Sequence, residues 1–139
     1  MRGIVRPTKV GLDKFFAQLN SEPFLKNLPR YRCGTKDIHY ALLGHKHPII
    51  AYCWLRGWDD NWPDKCLGLV VHPECRSMGY GELLTRFVLQ AGKERNIARV
   101  RLHVHPDNKA ALSLYKKLNF AFDGTKRADG ELVGFYCYD

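Results

Sequence analysis

The sequence has no run of apolar residues approaching the roughly 18 that a membrane span requires. Its basic start, MRGIVRPTKVG, is not followed by the apolar stretch of a secretory signal. These two absences give the expectation of a cytoplasmic protein with no membrane span. Five cysteines (Cys33, Cys53, Cys66, Cys75, Cys137) cannot all pair with one another, and none forms the C-x-x-C spacing of zinc or redox sites. Reduced thiols, mostly acting as small buried hydrophobes, are expected. The six histidines form no H-x-x-x-H pair or Cys/His cluster at ligand spacing, so no metal is expected. There is also no internal repeat, low-complexity tract, linker or block of five or six like charges. The formal charge is nevertheless +8, which suits either a polyanion surface or one highly phosphorylated ligand. The cations are scattered and show no combined basic and aromatic recognition pattern, which argues against nucleic acid.

What is present is enough for one domain over residues 1–139, with 45% hydrophobic and 26% charged residues. A short strand is expected around residues 3–6, then a helix with Leu12, Phe15, Phe16 and Leu19 on one face. A second, shorter helix and a turn are expected over 21–34. Ile38, Tyr40 and Leu42 alternate along a strand, and IIAYCWL (49–55) reads as a buried one. The loop RGWDDNWPD leads to a strand over 66–72. Beyond Gly79 the period changes, with Leu83, Leu84, Phe87, Val88 and Ala91 on one helical face. Val100, Leu102 and Val104 mark a further strand, with Arg101, His103 and His105 on its other side. A helix opening at Pro106-Asp107 carries Ala111, Leu112, Tyr115 and Leu118. FAFDG and LVGFYCY then form a hairpin around ADGE. Helices interleaved with strands indicate an α/β (α+β) fold with a mixed sheet.

The segment LVVHPECRSMGYGELL (69–84) carries the most chemistry. A strand ends at His72, Pro73 breaks its pairing, and Gly79 and Gly81 bracket a helix start. Backbone N–H groups and the positive end of a helix dipole then converge outside the sheet. Two glycines alone fit a tight turn equally well; Arg76, with its guanidinium fork, favours an anion site for a diphosphate. A P-loop is excluded by the lack of G-K-[ST], and Leu84 occupies the third glycine position of G-x-G-x-x-G.

At Val71-His72-Pro73-Glu74-Cys75-Arg76-Ser77-Met78-Gly79-Tyr80-Gly81 the chain resembles the GNAT (GCN5-related N-acetyltransferase) superfamily, whose signature is V-x-P-x-x-R-x-x-G-x-G. The stretch 102–120 matches a second family pattern through Leu102, Val104, Asn108, Ala111, Leu114, Tyr115 and Phe120, with Asn119 replacing the usual glycine. The resemblance implies a GNAT fold: a mixed sheet of about six or seven strands, about four helices, and coenzyme A between splayed central strands. It implies pyrophosphate binding by the amides of Arg76, Ser77, Met78, Gly79, Tyr80 and Gly81. The pantetheine arm would lie along Leu69, Val70 and Val71, with Asn108 and Ala111 beside it. Tyr115 would protonate the leaving thiolate, although its spacing alone fits a core aromatic.

The amine must also lose a proton. His103 stands where the L-E-V form of the pattern has its glutamate, and its ordinary pKa near 6.5 suits a base. A sheet-face histidine bonded to a neighbour is the equal alternative. Asp59, Asp60 or water are rivals, and His72 and Glu74 read as turn residues. Trp54, Trp58, Asp59 and Asp60 are the candidate acceptor contacts, suited to a flat or sugar-like amine; Trp54 equally suits a core seal. The expectation is a monomeric or homodimeric N-acetyltransferase that uses acetyl-CoA on a small primary amine by direct transfer, the oxyanion being met by backbone N–H groups. A protein or peptide N-acetyltransferase, or a catalytically silent acyl-CoA-binding module, is the alternative.

Overall fold

A computed structural model describes residues 2–19 and 33–138. Seven strands form one sheet in the order β1-β2-β3-β4-β5-β7-β6. They are β1 (Gly3–Val5), β2 (Ile38–Leu43), β3 (Ile49–Arg56), β4 (Lys65–Val71), β5 (Arg99–Val104), β6 (Ala121–Lys126) and β7 (Leu132–Cys137). Three α-helices accompany them: α1 (Lys9–Ala17), α2 (Tyr80–Glu94) and α3 (Lys109–Lys117), with one 3-10 turn at Pro73–Cys75. The mixed α/β sheet is as expected, with three α-helices among the described residues; the second, shorter helix expected within 21–34 falls mainly outside them.

Side chains along a strand alternate between faces, and this alternation divides the core in two. Leu12, Phe15, Phe16 and Leu19 of the first helical segment pack with Tyr52, Trp54 and Val70 on one face. On the other, Leu84, Val88 and Leu89 of α2 and Tyr115 and Leu118 from α3 and its C-cap pack with Cys53, Leu55, Leu67, Leu102 and Val104. The expected face of α2 was one position off. Thr85 and Leu89 are buried, whereas Leu83 and Phe87 stay over 40% exposed. Gly92 explains the rotation: a Cβ there would come within 2.9 Å of Leu55 Cδ1, so the strand draws the glycine side of the helix inward.

Two local devices hold the ends of the sheet. Thr8 caps α1 by accepting from Gly11 N at 3.0 Å. The buried Asp37 carboxylate accepts from Gly34 N at 2.7 Å, Gly57 N at 3.1 Å and Trp58 N at 3.2 Å, tying the turn before β2 to the loop after β3. Lys65 closes the same loop by donating to the carbonyls of Gly57 and Trp62 at 3.2 and 2.7 Å.

The feature that matters most for function lies at the sheet's one parallel junction. β4 pairs with β3 along its length, to Ala51↔Val71, and β5 pairs with β7 along its length, to Val104↔Leu132. Between β4 and β5 only Lys65↔Val100 and Cys66↔Arg101 pair. Beyond those pairs the two strands diverge, each held by its outer neighbour, and the sheet is open between Leu67–Val71 and Leu102–Val104.

Candidate functional site

The gap between β4 and β5 is the mouth of a cleft of about 1150 Å³. Residues of both parities on β4 line it, from Cys66 and Gly68 to Leu69 and Val71, so side chains of both faces of the sheet contribute to the cleft.

On the face covered by α2 and α3, the loop after β4 builds a cup of amides. His72 starts the 3-10 turn, accepting through Nδ1 from Glu74 N at 3.2 Å. Its ring stacks on His47 at 3.8 Å, while Glu74 is held by Lys46 and His47, each at 3.0 Å. His72 and Glu74 are thus turn residues, as expected. Together with His47 they bring ligand atoms within 4.8 Å of one another, a cluster that sequence spacing did not show. The rings are only 21° from parallel, so their in-plane lone pairs do not converge on one point. The chain then turns through left-handed positions at Ser77 (φ 63) and Gly79 (φ 83) into α2.

Gly79 is the N-cap and offers no side-chain cap, so the first amides of α2 point outward with no intrahelical partner. Gly81 serves packing: a Cβ there would lie 3.2 Å from Leu69, 3.3 Å from Val71 and 3.4 Å from Leu114. Its absence seats the first turn of α2 against β4 and α3. Of the residues expected to hold the cofactor, Leu69, Val70, Val71, Arg76, Ser77, Gly79, Tyr80, Gly81, Asn108, Ala111 and Tyr115 line the cleft; Met78 is not among the lining residues and its side chain is exposed. Asn108 caps α3, its Oδ1 accepting from Ala111 N at 3.2 Å, which leaves its Nδ2 hydrogens as the groups it can present. Asn119 ends the helix at φ 72, the conformation for which glycine is usual. Tyr115 is buried on this wall against Phe120, and burial pushes its phenol well above the ordinary range. It therefore stays an O–H donor.

On the α1 face the cleft is lined by a different chemistry. Trp54 is buried with its ring over Gly68, where a Cβ would fall 1.9 Å from Trp54 Cζ2. Of the expected acceptor contacts, Trp54 lines the cleft, whereas Trp58, Asp59 and Asp60 are not among the lining residues. Trp58 is drawn to the far end of the sheet by Lys65 and Arg95, whose cations lie 5.3 and 4.8 Å from its ring centroid. Asp59 packs on Gly34 and Asp60 is exposed. Trp62 lines the cleft instead.

His103 lies on the cleft wall in the expected place, but its surroundings oppose proton uptake. Arg101 Nε donates to its Nε2 at 2.8 Å and Arg127 Nη1 lies 3.0 Å from its Nδ1. Burial, then Arg127 and Arg101, push its pKa down to about 4. A ring that is neutral at pH 7 but so reluctant to charge is a weak base. Its C–H chemical shifts, followed by NMR, are expected to titrate near pH 4 and to show no inflection near 6.5. With the unfolded ring at 6.5, protons bind the unfolded chain first as pH falls, so the folded state loses stability from pH 6.5 down to about 4.

Three carboxylates line the cleft. Arg99 holds Asp64 below the usual range through bonds of 3.1 and 2.6 Å. Lys117 does the same to Glu82 at 2.7 Å. Glu131, on the turn before β7, is the exception: burial and then Asp129 push its carboxyl up. Sequence reasoning missed Glu131 and Arg127. Both come from the turn of the last hairpin, and only the β5–β7 pairing brings them to the site.

The acetyltransferase (GNAT) family model matches residues 12–120. A protein of Bacillus subtilis assigned as a ribosomal protein bS18-alanine N-acetyltransferase is 24% identical over 115 residues, covering 83% of this chain and 66% of that protein. A mycothiol acetyltransferase of Paenarthrobacter aurescens is 30% identical over 76 residues, 52% of this chain and 24% of that protein. This chain thus spans under two thirds of the first relative's length and about a quarter of the second's. Among solved structures, a GNAT-family acetyltransferase of Staphylococcus aureus superposes with a TM-score of 0.78 at 16% identity, over 99% of both chains. A PaiA N-acetyltransferase of Thermoplasma acidophilum in complex with coenzyme A superposes with a TM-score of 0.63 at 20% identity, over 73% of this chain and 61% of that one.

Proposed function

Because the chain belongs to the acetyltransferase (GNAT) family, we propose that it transfers the acetyl group of acetyl-CoA directly to a primary amine. One observation carries the reading: a single cleft at the splayed β4–β5 edge is lined by the turn before α2, Arg76 and Tyr115 from one face and by Trp54, Arg101, His103 and Glu131 from the other. The donor set fits coenzyme A. The first-turn amides of α2 and Arg76 would meet the pyrophosphate. The unpaired edge of β4 at Leu69–Val71 would bond the pantetheine amides and, at the carbonyl, the developing oxyanion. Asn108 Nδ2 would donate to the same arm.

When bound, acetyl-CoA supplies an activated thioester carbonyl. The chain supplies the two proton positions. Tyr115, buried on the cleft wall and holding its proton, would donate it to the departing thiolate. Glu131 lines the cleft from the other face; its raised carboxyl is the group there best suited to accept the ammonium proton, directly or through a water. His103, held neutral between two guanidiniums, positions Arg101 and Arg127. This reverses the assignment expected from the sequence, where His103 was the preferred base.

Calorimetry with coenzyme A, followed by a thiol-release assay across primary amines, tests the reading. Binding in the micromolar range and amine-dependent thiol release are expected, with Glu131→Gln lowering turnover more than His103→Ala. No heat with coenzyme A or acetyl-CoA overturns it.

A further inference from the structure

The guanidiniums of Arg56, Arg101 and Arg127 all line the cleft. Arg56 and Arg101 end a cross-strand row, Arg56–Cys66–Arg101, on adjacent strands β3, β4 and β5. Their Cα atoms are therefore about 10 Å apart on one face. Arg127 reaches over from the last hairpin to His103, 3.0 Å away, and the charges of all three guanidiniums oppose the rise that burial imposes on the Cys66 thiol. Arg56 Nε is buried and has no hydrogen-bond partner among the described residues. Its guanidinium lies 5.4 Å from the Trp62 centroid, a contact with the ring that supplies no acceptor for Nε. Arg101 Nε and Arg127 Nη1 both address His103. A neutral imidazole has one acceptor nitrogen, so one of these two N–H groups meets no lone pair.

The nearby carboxylates do not supply the missing acceptors. Asp129 and Glu131 lie 3.8 and 3.6 Å from Arg127, and Asp64 is taken by Arg99. Neither Arg56 nor Arg101 has an ion-pair partner among the described residues.

Resting on the acetyltransferase reading, we propose that Arg56, Arg101 and Arg127 form an anion subsite, and that the amine acceptor carries a phosphate or a carboxylate. Guanidinium forks match either group. Cys66 stands three residues before Leu69, about 10 Å along the strand. An anion between Arg56 and Arg101 is therefore several bonds removed from the amine, with Trp54, which pairs with Gly68, beside the part between; Arg127, 3.6 Å from Glu131, borders both.

The test pairs amines that differ only in the anion. The phosphate arm compares glucosamine 6-phosphate with glucosamine, and the carboxylate arm compares 4-aminobutyrate with 4-aminobutanamide. The charged member of at least one arm is expected to show about tenfold or greater kcat/KM over its neutral partner. The arm that responds identifies the anion. In Arg56→Gln and Arg101→Gln that ratio falls towards one, while coenzyme A affinity, measured by calorimetry, stays at the wild-type value and shows the fold intact. Calorimetry of the same four compounds on the coenzyme A-saturated protein gives a readout independent of turnover. Coenzyme A binding with no preference for the charged member in either measurement overturns the subsite alone, as does a preference that survives both substitutions. Failure to bind coenzyme A overturns the underlying reading.

Discussion

Tyr115→Phe is expected to lower kcat by about 10²- to 10³-fold, the range associated with loss of a positioned proton donor, while coenzyme A affinity changes little. The substitution removes one oxygen and keeps the ring that packs with Phe120, Leu118 and Val104, so melting should shift by only a few degrees. Burial raises the phenol's pKa, and a donor works below its pKa; loss of donor function therefore lies beyond the ordinary tyrosine range, and the wild-type rate should persist through about pH 10. Steady-state kinetics of the variant across pH checks both statements. An unchanged kcat would leave Tyr115 as a core aromatic, the reading that its helical spacing already allowed.

Gly79→Val is expected to weaken coenzyme A binding by tenfold or more with little change in kcat at saturation. The built Cβ at this position meets nothing within 4 Å, so the cost comes from the backbone alone. At φ 83 an L-residue pays about 1–2 kcal/mol, and a β-branched one more. The cheapest relief is for the loop to leave the left-handed conformation, which turns the first-turn amides of α2 away from their common point. Gly79→Asn, a residue that tolerates this conformation, should retain most of the affinity. Calorimetry on the two variants separates conformation from simple bulk; equal affinities would mean the cup does not depend on this φ.

The contrast between these two glycines shows what the sequence could and could not tell. Both stand in one motif, and the sequence suggested that both admit a ligand. Only three-dimensional packing shows that Gly79 is needed for its φ and Gly81 for room against Leu69, Val71 and Leu114. Strand identity was legible because Val100, Leu102 and Val104 alternate with Arg101, His103 and His105 without interruption. The face of α2 was not, since 83/84/87/88 and 84/85/88/89 satisfy the same period and Thr85 gives no hydrophobic signal. The tryptophan loop misled for a related reason: proximity in sequence put Trp58, Asp59 and Asp60 beside Trp54. The Asp37 anchor and the cations of Lys65 and Arg95 hold Trp58 in its own packing, while Trp62 and Asp64 of the same loop line the cleft. His103 was placed correctly, but its chemistry depends on Arg127, 24 residues away in the chain.

Two rungs are all that join β4 to β5. The strand sets on either side of that seam, β1 to β4 and β5 with β7 and β6, are each internally laddered, so keeping them in register falls mainly to the core beneath α2 and α3. Small scissoring of the halves breaks few backbone bonds. Molecules threaded through the gap from opposite faces would stand in for the missing rungs, making the rigidity of the sheet a property of the occupied protein more than of the bare chain.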